Sequence, residues 1–240
     1  MDARDLLAPL VEAPERSAIL LDVDGTLAPI VARPELAEVP VETRAELRRL
    51  VDRYALVACI SGRTGRDAER LVGVDGIVYV GVHGLELEPE AERWREPLRE
   101  FASSVEWPFD ELEDKGLTIA LHYREAADEE EARHRLEAIA ARARREGLAA
   151  RFGRKVLELR PPVAADKGSA VRKLLGERDL ERALYAGDDT TDLDAFRGLD
   201  GLRHAVKVAL VSAEAPPALR EAADLTVASP EEFLDLLRSI

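Results

Sequence analysis

The stretch AILLDVDGTLAPI, residues 18–30, decides the fold. Residues 18–21 have the length and composition of a buried strand, and Gly25 breaks it just after the second of two aspartates. Asp22 and Asp24 therefore stand at a strand's carboxyl end. In extended backbone, side chains two apart point the same way, so both carboxylates are expected to face one small volume. The same residues also fit an ordinary strand exit in which Asp24 and Gly25 form the turn, because Asp-Gly pairs are frequent turn formers. Context has to choose between the two.

Further along the chain, the pattern repeats. An apolar run at 54–60 ends in Ser61-Gly62-Arg63, another at 77–82 ends in His83-Gly84-Leu85-Glu86, and a third at 183–186 ends in Gly187-Asp188-Asp189-Thr190-Thr191-Asp192. Helical spacing fills the gaps: Leu47, Leu50 and Val51 fall at i, i+3 and i+4 within 41–53, and 65–72 fits a shorter helix. Residues 27–40 carry three prolines and no helical period, which predicts an irregular excursion or flap. The pattern resumes after the middle of the chain with helices at 167–175 and 191–199, strands at 205–211 and 224–227, and a helix at 231–237. Near-continuous apolar strands alternating with helices predict a parallel sheet in an α/β fold. Such sheets bind ligands beyond the carboxyl ends of their strands, where these polar residues lie.

Between about 88 and 162 the texture differs. Residues 88–100 are strongly charged. Residues 117–123 alternate, with Leu117, Ile119, Leu121 and Tyr123 on one face and Thr118, Ala120 and His122 on the other, as in a sheet with one open face. Residues 129–146 read as a helix with acids in its first turn and arginines in its last, and 155–159 as a half-buried strand. The expected organisation is a core formed by 1–87 and 163–240 with an inserted α+β domain at 88–162, Pro161 and Pro162 marking the return.

The 240 residues, 46% hydrophobic and 34% charged, suit a folded protein of one large or two modest domains. A formal net charge of −14 argues against nucleic acid or an anionic membrane as partner. It also means that an anionic substrate must find its positive charge locally. The lone Cys59 sits in an apolar run and is expected to be buried and inert. No signal-peptide core or membrane-length apolar stretch is visible, so a cytoplasmic, monomeric protein is expected.

DVDGTL at Asp22, SGR at Ser61, DKG at Lys167 and GDDTTD at Asp188 occur in the order and spacing of the four motifs of haloacid dehalogenase-like phosphatases. Each is weak alone, but together they span most of the chain. Three further pieces, GVHGLE at Gly81, EDKGLTIALHYR at Glu113 and VLELRP at Val156, resemble trehalose-6-phosphate phosphatases. The resemblance implies a Rossmann-like core with a mobile α+β cap, magnesium dependence, and hydrolysis of the small-molecule sugar phosphate trehalose 6-phosphate. It implies that Asp22 is the nucleophile, that Asp24 protonates the leaving sugar oxygen and then activates water, and that Ser61, Gly62 and Lys167 bind the phosphate. Mg²⁺ would be held by the carboxylates of Asp22 and Asp188 and the backbone carbonyl of Asp24. Substrate contacts are expected from Arg63, His83 and Glu86 in the core motifs and from Glu113, Lys115, Arg124 and Glu158 in the cap.

This assignment makes physical sense. Carboxylates within about 4 Å repel by about 4 kcal/mol per pair at an effective dielectric near 20, which blunts a nucleophile unless a cation is present. Hard oxygen ligands beside a phosphate favour magnesium over zinc. Plainer readings stand beside these. Arg63 is equally a solvated helix-start charge, and His83 a satisfied strand-end histidine. Asp189 and Asp192 either orient the metal's waters or cap the helix that follows. His134 and His204 carry no motif and are read as surface residues. Other functions compatible with the motifs are a different sugar phosphatase, a phosphosugar mutase, or a catalytically silent sugar-phosphate sensor, although a sensor has no need of a nucleophile.

Overall fold

The computed structural model describes all residues except 1, 32, 34–35, 107–111, 124–125, 127, 154 and 212–214. The chain forms two compact units, Met1–Gly84 with Ala165–Ile240, and Leu85–Ala164.

The first unit opens with helix α1 (Ala3–Glu12), followed by β1 (Ser17–Leu21), α2 (Val41–Arg53), β2 (Leu56–Ile60), α3 (Gly65–Val72) and β3 (Val78–Val80). The described part of 27–40 contains no strand and no α-helix. β1 and β2 are buried along their whole length because helices cover both faces of a parallel sheet, and the sequence answers with unbroken apolar runs.

The second unit contains α4 (Pro89–Glu92), α5 (Arg95–Ser104), β4 (Leu112–Asp114), β5 (Ile119–His122), α6 (Glu129–Arg145), β6 (Ala149–Gly153) and β7 (Val156–Arg160). Its sheet is antiparallel in the order β4-β5-β7-β6. Ile119, Leu121, Leu157 and Leu159 pack with Leu98 and Phe101 of α5 and Leu136 and Ala140 of α6. The opposite face is less open than alternation predicts. Ala120 is buried, since its cross-strand neighbours Glu113 and Glu158 flank a side chain of one methyl group, and Thr118 is buried as well.

The chain then returns to the first unit with α7 (Lys167–Gly176), β8 (Arg182–Gly187), α8 (Asp192–Gly198), β9 (His204–Leu210), α9 (Pro217–Ala222), β10 (Leu225–Val227) and α10 (Pro230–Arg238). The six strands run parallel in the order β10-β9-β8-β1-β2-β3. The chain winds from β1 outward through β2 and β3, then returns to the other side of β1 with β8. The strand order therefore reverses between β1 and β8, and this switch point is where an open α/β sheet leaves a crevice at its carboxyl edge. Asp22 and Asp188 each follow directly after one of these two strands. His204 is not a simple surface residue: its Nε2 lies 2.7 Å from the Leu6 carbonyl, tying β9 to α1. Among the described residues, no helix is long and apolar enough to cross a membrane.

Candidate active site

Strand pairing continues one residue past β1, where the Asp22 amide donates to the Ala186 carbonyl at 2.9 Å, and the chain then turns. Gly25 adopts φ +80°, and its backbone passes so close beneath Asp188 that a Cβ there would lie 2.1 Å from a carboxylate oxygen. This close approach brings the Asp22–Gly25 exit of β1 against the exit of β8. Asp22 is only 5% exposed.

Lys167 is the first residue of α7, whose start is fixed by a capping box: Asp166 accepts from the Ser169 amide, and the Ser169 hydroxyl accepts from the Asp166 amide. From there its ammonium reaches Asp22 Oδ1 at 2.8 Å and Asp192 Oδ1 at 2.7 Å. Asp192 is completely buried. Its Oδ1 also accepts from the Tyr185 hydroxyl at 2.7 Å, and its Oδ2 accepts from the amides of Asp188 and Asp189 at 3.0 and 2.9 Å. The carboxylate thus braces the loop that carries Asp188 and at the same time steers Lys167. It is not the N-cap of α8: Thr191 occupies that position without a side-chain bond, and Asp192 is already the first helical residue.

Burial pushes Asp22 well above the usual carboxylate range, with Asp192 and Asp188 adding to the rise and Lys167 opposing it. Asp188 is pushed up to about 7, chiefly by burial and then by Asp192. Burial alone would lower Lys167, but Asp192 and Asp22 outweigh it and keep the ammonium protonated. Asp22 and Asp192 thus pair with Lys167, and Asp188 feels its charge. Carboxylate oxygens of the three acids lie within 4.8 Å of one another, and hard oxygen donors at this spacing fit a metal ion. Asp192 has both oxygens engaged by protein donors, so Asp22 and Asp188 are the side chains left to hold it.

Ser61 is buried after β2, and its hydroxyl accepts from the Arg63 amide at 3.1 Å. Arg63 forks onto Asp24, with Nε to Oδ2 and Nη2 to Oδ1 both at 2.7 Å, so the two motif-one aspartates engage different cations. Regular strand geometry ends at Leu21, and Asp24 already belongs to the turn, paired with Ala28 in an isolated bridge. His83 has φ +53°, and its ring packs on Gly62, where a Cβ would lie 2.8 Å from the imidazole. Glu86 and Asp189 are exposed.

In the second unit, Glu113 on β4 and Glu158 on β7 flank Ala120 of β5, and the Glu113 carboxylate meets Lys115 Nζ at 3.4 Å and His122 Nε2 at 3.3 Å. The His122 bond, more than the Lys115 charge, holds Glu113 below the usual carboxylate range. Arg124 lies outside the described residues. Sequence reasoning missed Tyr185, which looks like core in the run ALYAG, and assigned no role to His122.

A parallel core with its acids at the switch point and an inserted antiparallel unit defines the haloacid dehalogenase-like fold, which solved hydrolases of that class share. The family model for trehalose-phosphatase matches residues 20–231, and the chain belongs to that family. It is 36% identical over 206 residues to the trehalose-phosphate phosphatase of Mycobacterium marinum, covering 75% of this chain and 51% of that one. It is 38% identical over 213 residues to an uncharacterised glycosyl hydrolase of Mycobacterium tuberculosis, covering 75% of this chain and 15% of that protein. The chain thus spans about half, or less, of the length of these curated relatives. A solved structure described as a trehalose-6-phosphate phosphatase related protein matches with 27% identity and a TM-score of 0.66 over 92% of this chain and 95% of its own.

Proposed function

We propose that this chain hydrolyses trehalose 6-phosphate to trehalose and phosphate through an aspartyl-phosphate on Asp22. The observation that carries this reading is the buried Asp22–Lys167 pair at the switch point, beside Asp188. Asp22 would attack phosphorus in line as the ester P–O bond breaks, while Asp24 gives its proton to the departing sugar oxygen. Water would then attack the phosphorus of the aspartyl ester, passing a proton back to Asp24 and releasing phosphate with Asp22 restored. Lys167 and the donors of the Ser61–Gly62 turn hold the phosphoryl oxygens, supplying the positive charge that a chain of net charge −14 must provide locally.

Asp22 and Asp188, with the Asp24 carbonyl, would hold Mg²⁺, which when bound offsets the carboxylate charge and polarises the phosphoryl group. In the inserted unit, Glu113, Lys115 and Glu158 supply the paired acceptors and donors that sugar hydroxyls require.

The test is phosphate release from a panel of sugar phosphates, with Mg²⁺ and with excess chelator. Magnesium-dependent turnover with trehalose 6-phosphate far ahead of the panel supports the reading. Equal turnover across the panel, or turnover undiminished by chelator, overturns it.

A further inference from the structure

The geometry points to Arg63 as a positioning residue for Asp24: its guanidinium fork sets the plane of the carboxylate that handles protons, so the Ser61–Gly62–Arg63 turn acts on the reaction through Asp24. This inference rests on the role proposed above for Asp24.

The fork makes two parallel bonds of 2.7 Å, one to each carboxylate oxygen. Two parallel bonds fix rotation about the Cβ–Cγ bond, which a single ammonium does not do. The arginine itself is anchored. Its amide donates to Ser61 Oγ at 3.1 Å, and its carbonyl accepts from the Val82 amide at 2.8 Å. The second of these bonds depends on Gly81, where a Cβ would lie 2.7 Å from the Arg63 carbonyl oxygen and 2.1 Å from the Gly65 nitrogen. Only a residue without a side chain lets the exit of β3 come this close to the turn after β2. The Asp24 backbone is held from its own side, paired to Ala28 in an isolated bridge, with the Gly25 amide donating to the Ala28 carbonyl at 2.8 Å. The Arg63 side chain is the more sheltered partner, 20% exposed against 43% for Asp24. A half-buried, braced arginine thus presents a more exposed carboxylate.

The fork occupies one lone pair on each Asp24 oxygen and leaves one on each for a proton in transit. In both half-reactions that proton moves between Asp24 and an oxygen, first to the sugar oxygen as the P–O bond breaks, then from water as it attacks. A carboxylate free to rotate would lose alignment in both. Arg63 bound to the substrate phosphate would predict something else, a loss of affinity independent of Asp24.

The experiment is a double-mutant cycle combining Arg63→Lys and Arg63→Gln with Asp24→Asn, read in single-turnover kinetics on trehalose 6-phosphate and on an aryl phosphate, with melting curves for every variant. With Asp24 present, Arg63→Lys should cut the chemical step on trehalose 6-phosphate roughly ten- to hundred-fold with little change in KM, as general acid–base positioning predicts. In the Asp24→Asn background either Arg63 substitution should change rates by no more than about two-fold, because coupled residues are non-additive. Equal losses in both backgrounds, or a rise in KM alone, would overturn the proposal. So would loss of cooperative melting in both Arg63 variants, which would assign the residue to the fold. If the wild type ignores trehalose 6-phosphate yet hydrolyses the aryl ester, the substrate reading fails, and the cycle on dephosphorylation of the aryl-derived phosphoenzyme still decides the role of Arg63.

Discussion

Tyr185 donates a 2.7 Å hydrogen bond to Asp192 Oδ1, the oxygen that also receives the Lys167 ammonium. Both partners are completely buried. A charged acceptor in such a place needs every donor it has, because an ionised carboxylate out of water is costly unless paired and bonded. Tyr185→Phe should therefore destabilise the protein by about 1.5–3 kcal/mol, the usual range for a hydrogen bond to a charged group. Urea unfolding at neutral pH measures it, and a change under about 0.5 kcal/mol, as for an ordinary surface substitution, would mean that the brace does not depend on the phenol.

The cluster also predicts how stability responds to pH. Asp188 is raised to about 7 in the folded state, from an unfolded value near 3.8. Between these values the folded state binds the proton and the unfolded state does not, so stability from this group is present at low pH and falls as pH rises from about 4 to about 7. Burial acts on Asp22 in the same direction. The metal-free protein should lose melting temperature over that range relative to Asp188→Asn, and Mg²⁺ should flatten the decline by stabilising the ionised form. A wild type that parallels Asp188→Asn at every pH would remove Asp188 as a strained acid.

Substrate choice should reside in the inserted unit. Glu113, Lys115 and Glu158 gather on one sheet face, and His122 orients Glu113. Glu158→Ala or Lys115→Ala should lower kcat/KM on trehalose 6-phosphate roughly ten- to a thousand-fold, equivalent to one or two charged hydrogen bonds. Hydrolysis of a small aryl phosphate should change little. The informative quantity is the ratio of the two efficiencies in each variant. A parallel fall on both substrates would assign these residues a general structural role, and no fall on either would point to a different ester.

The fold and the acids were legible in the sequence where chemistry coincides with a local signal. Asp22, Ser61, Lys167 and Asp188 each stand where an apolar run stops or a helix starts, so a short window is enough to find them. What escaped was set by distance along the chain. Arg63 and Asp24 are 39 residues apart, and nothing in either neighbourhood announces the fork. Tyr185 sits inside a strand, where an aromatic ring is expected whatever its hydroxyl does. α1 was hidden by Pro9 within a run of alternating charge. β6 was not anticipated because an edge strand is half exposed, and its exposed Arg151 and Gly153 interrupt any apolar run. His204 reads as a surface residue because its partner, the Leu6 carbonyl, is 198 residues away.

The most direct test is to trap the phosphoenzyme. Trehalose 6-phosphate and Mg²⁺ are mixed with excess enzyme, the reaction is quenched in acid within the first turnover, and the site of phosphate attachment is mapped by peptide mass spectrometry. The predicted result is an acid-stable, base-labile phosphate on Asp22, abolished in Asp22→Asn while that variant still melts cooperatively. Phosphate found on another residue, or release by Asp22→Asn at the wild-type rate, would contradict the account.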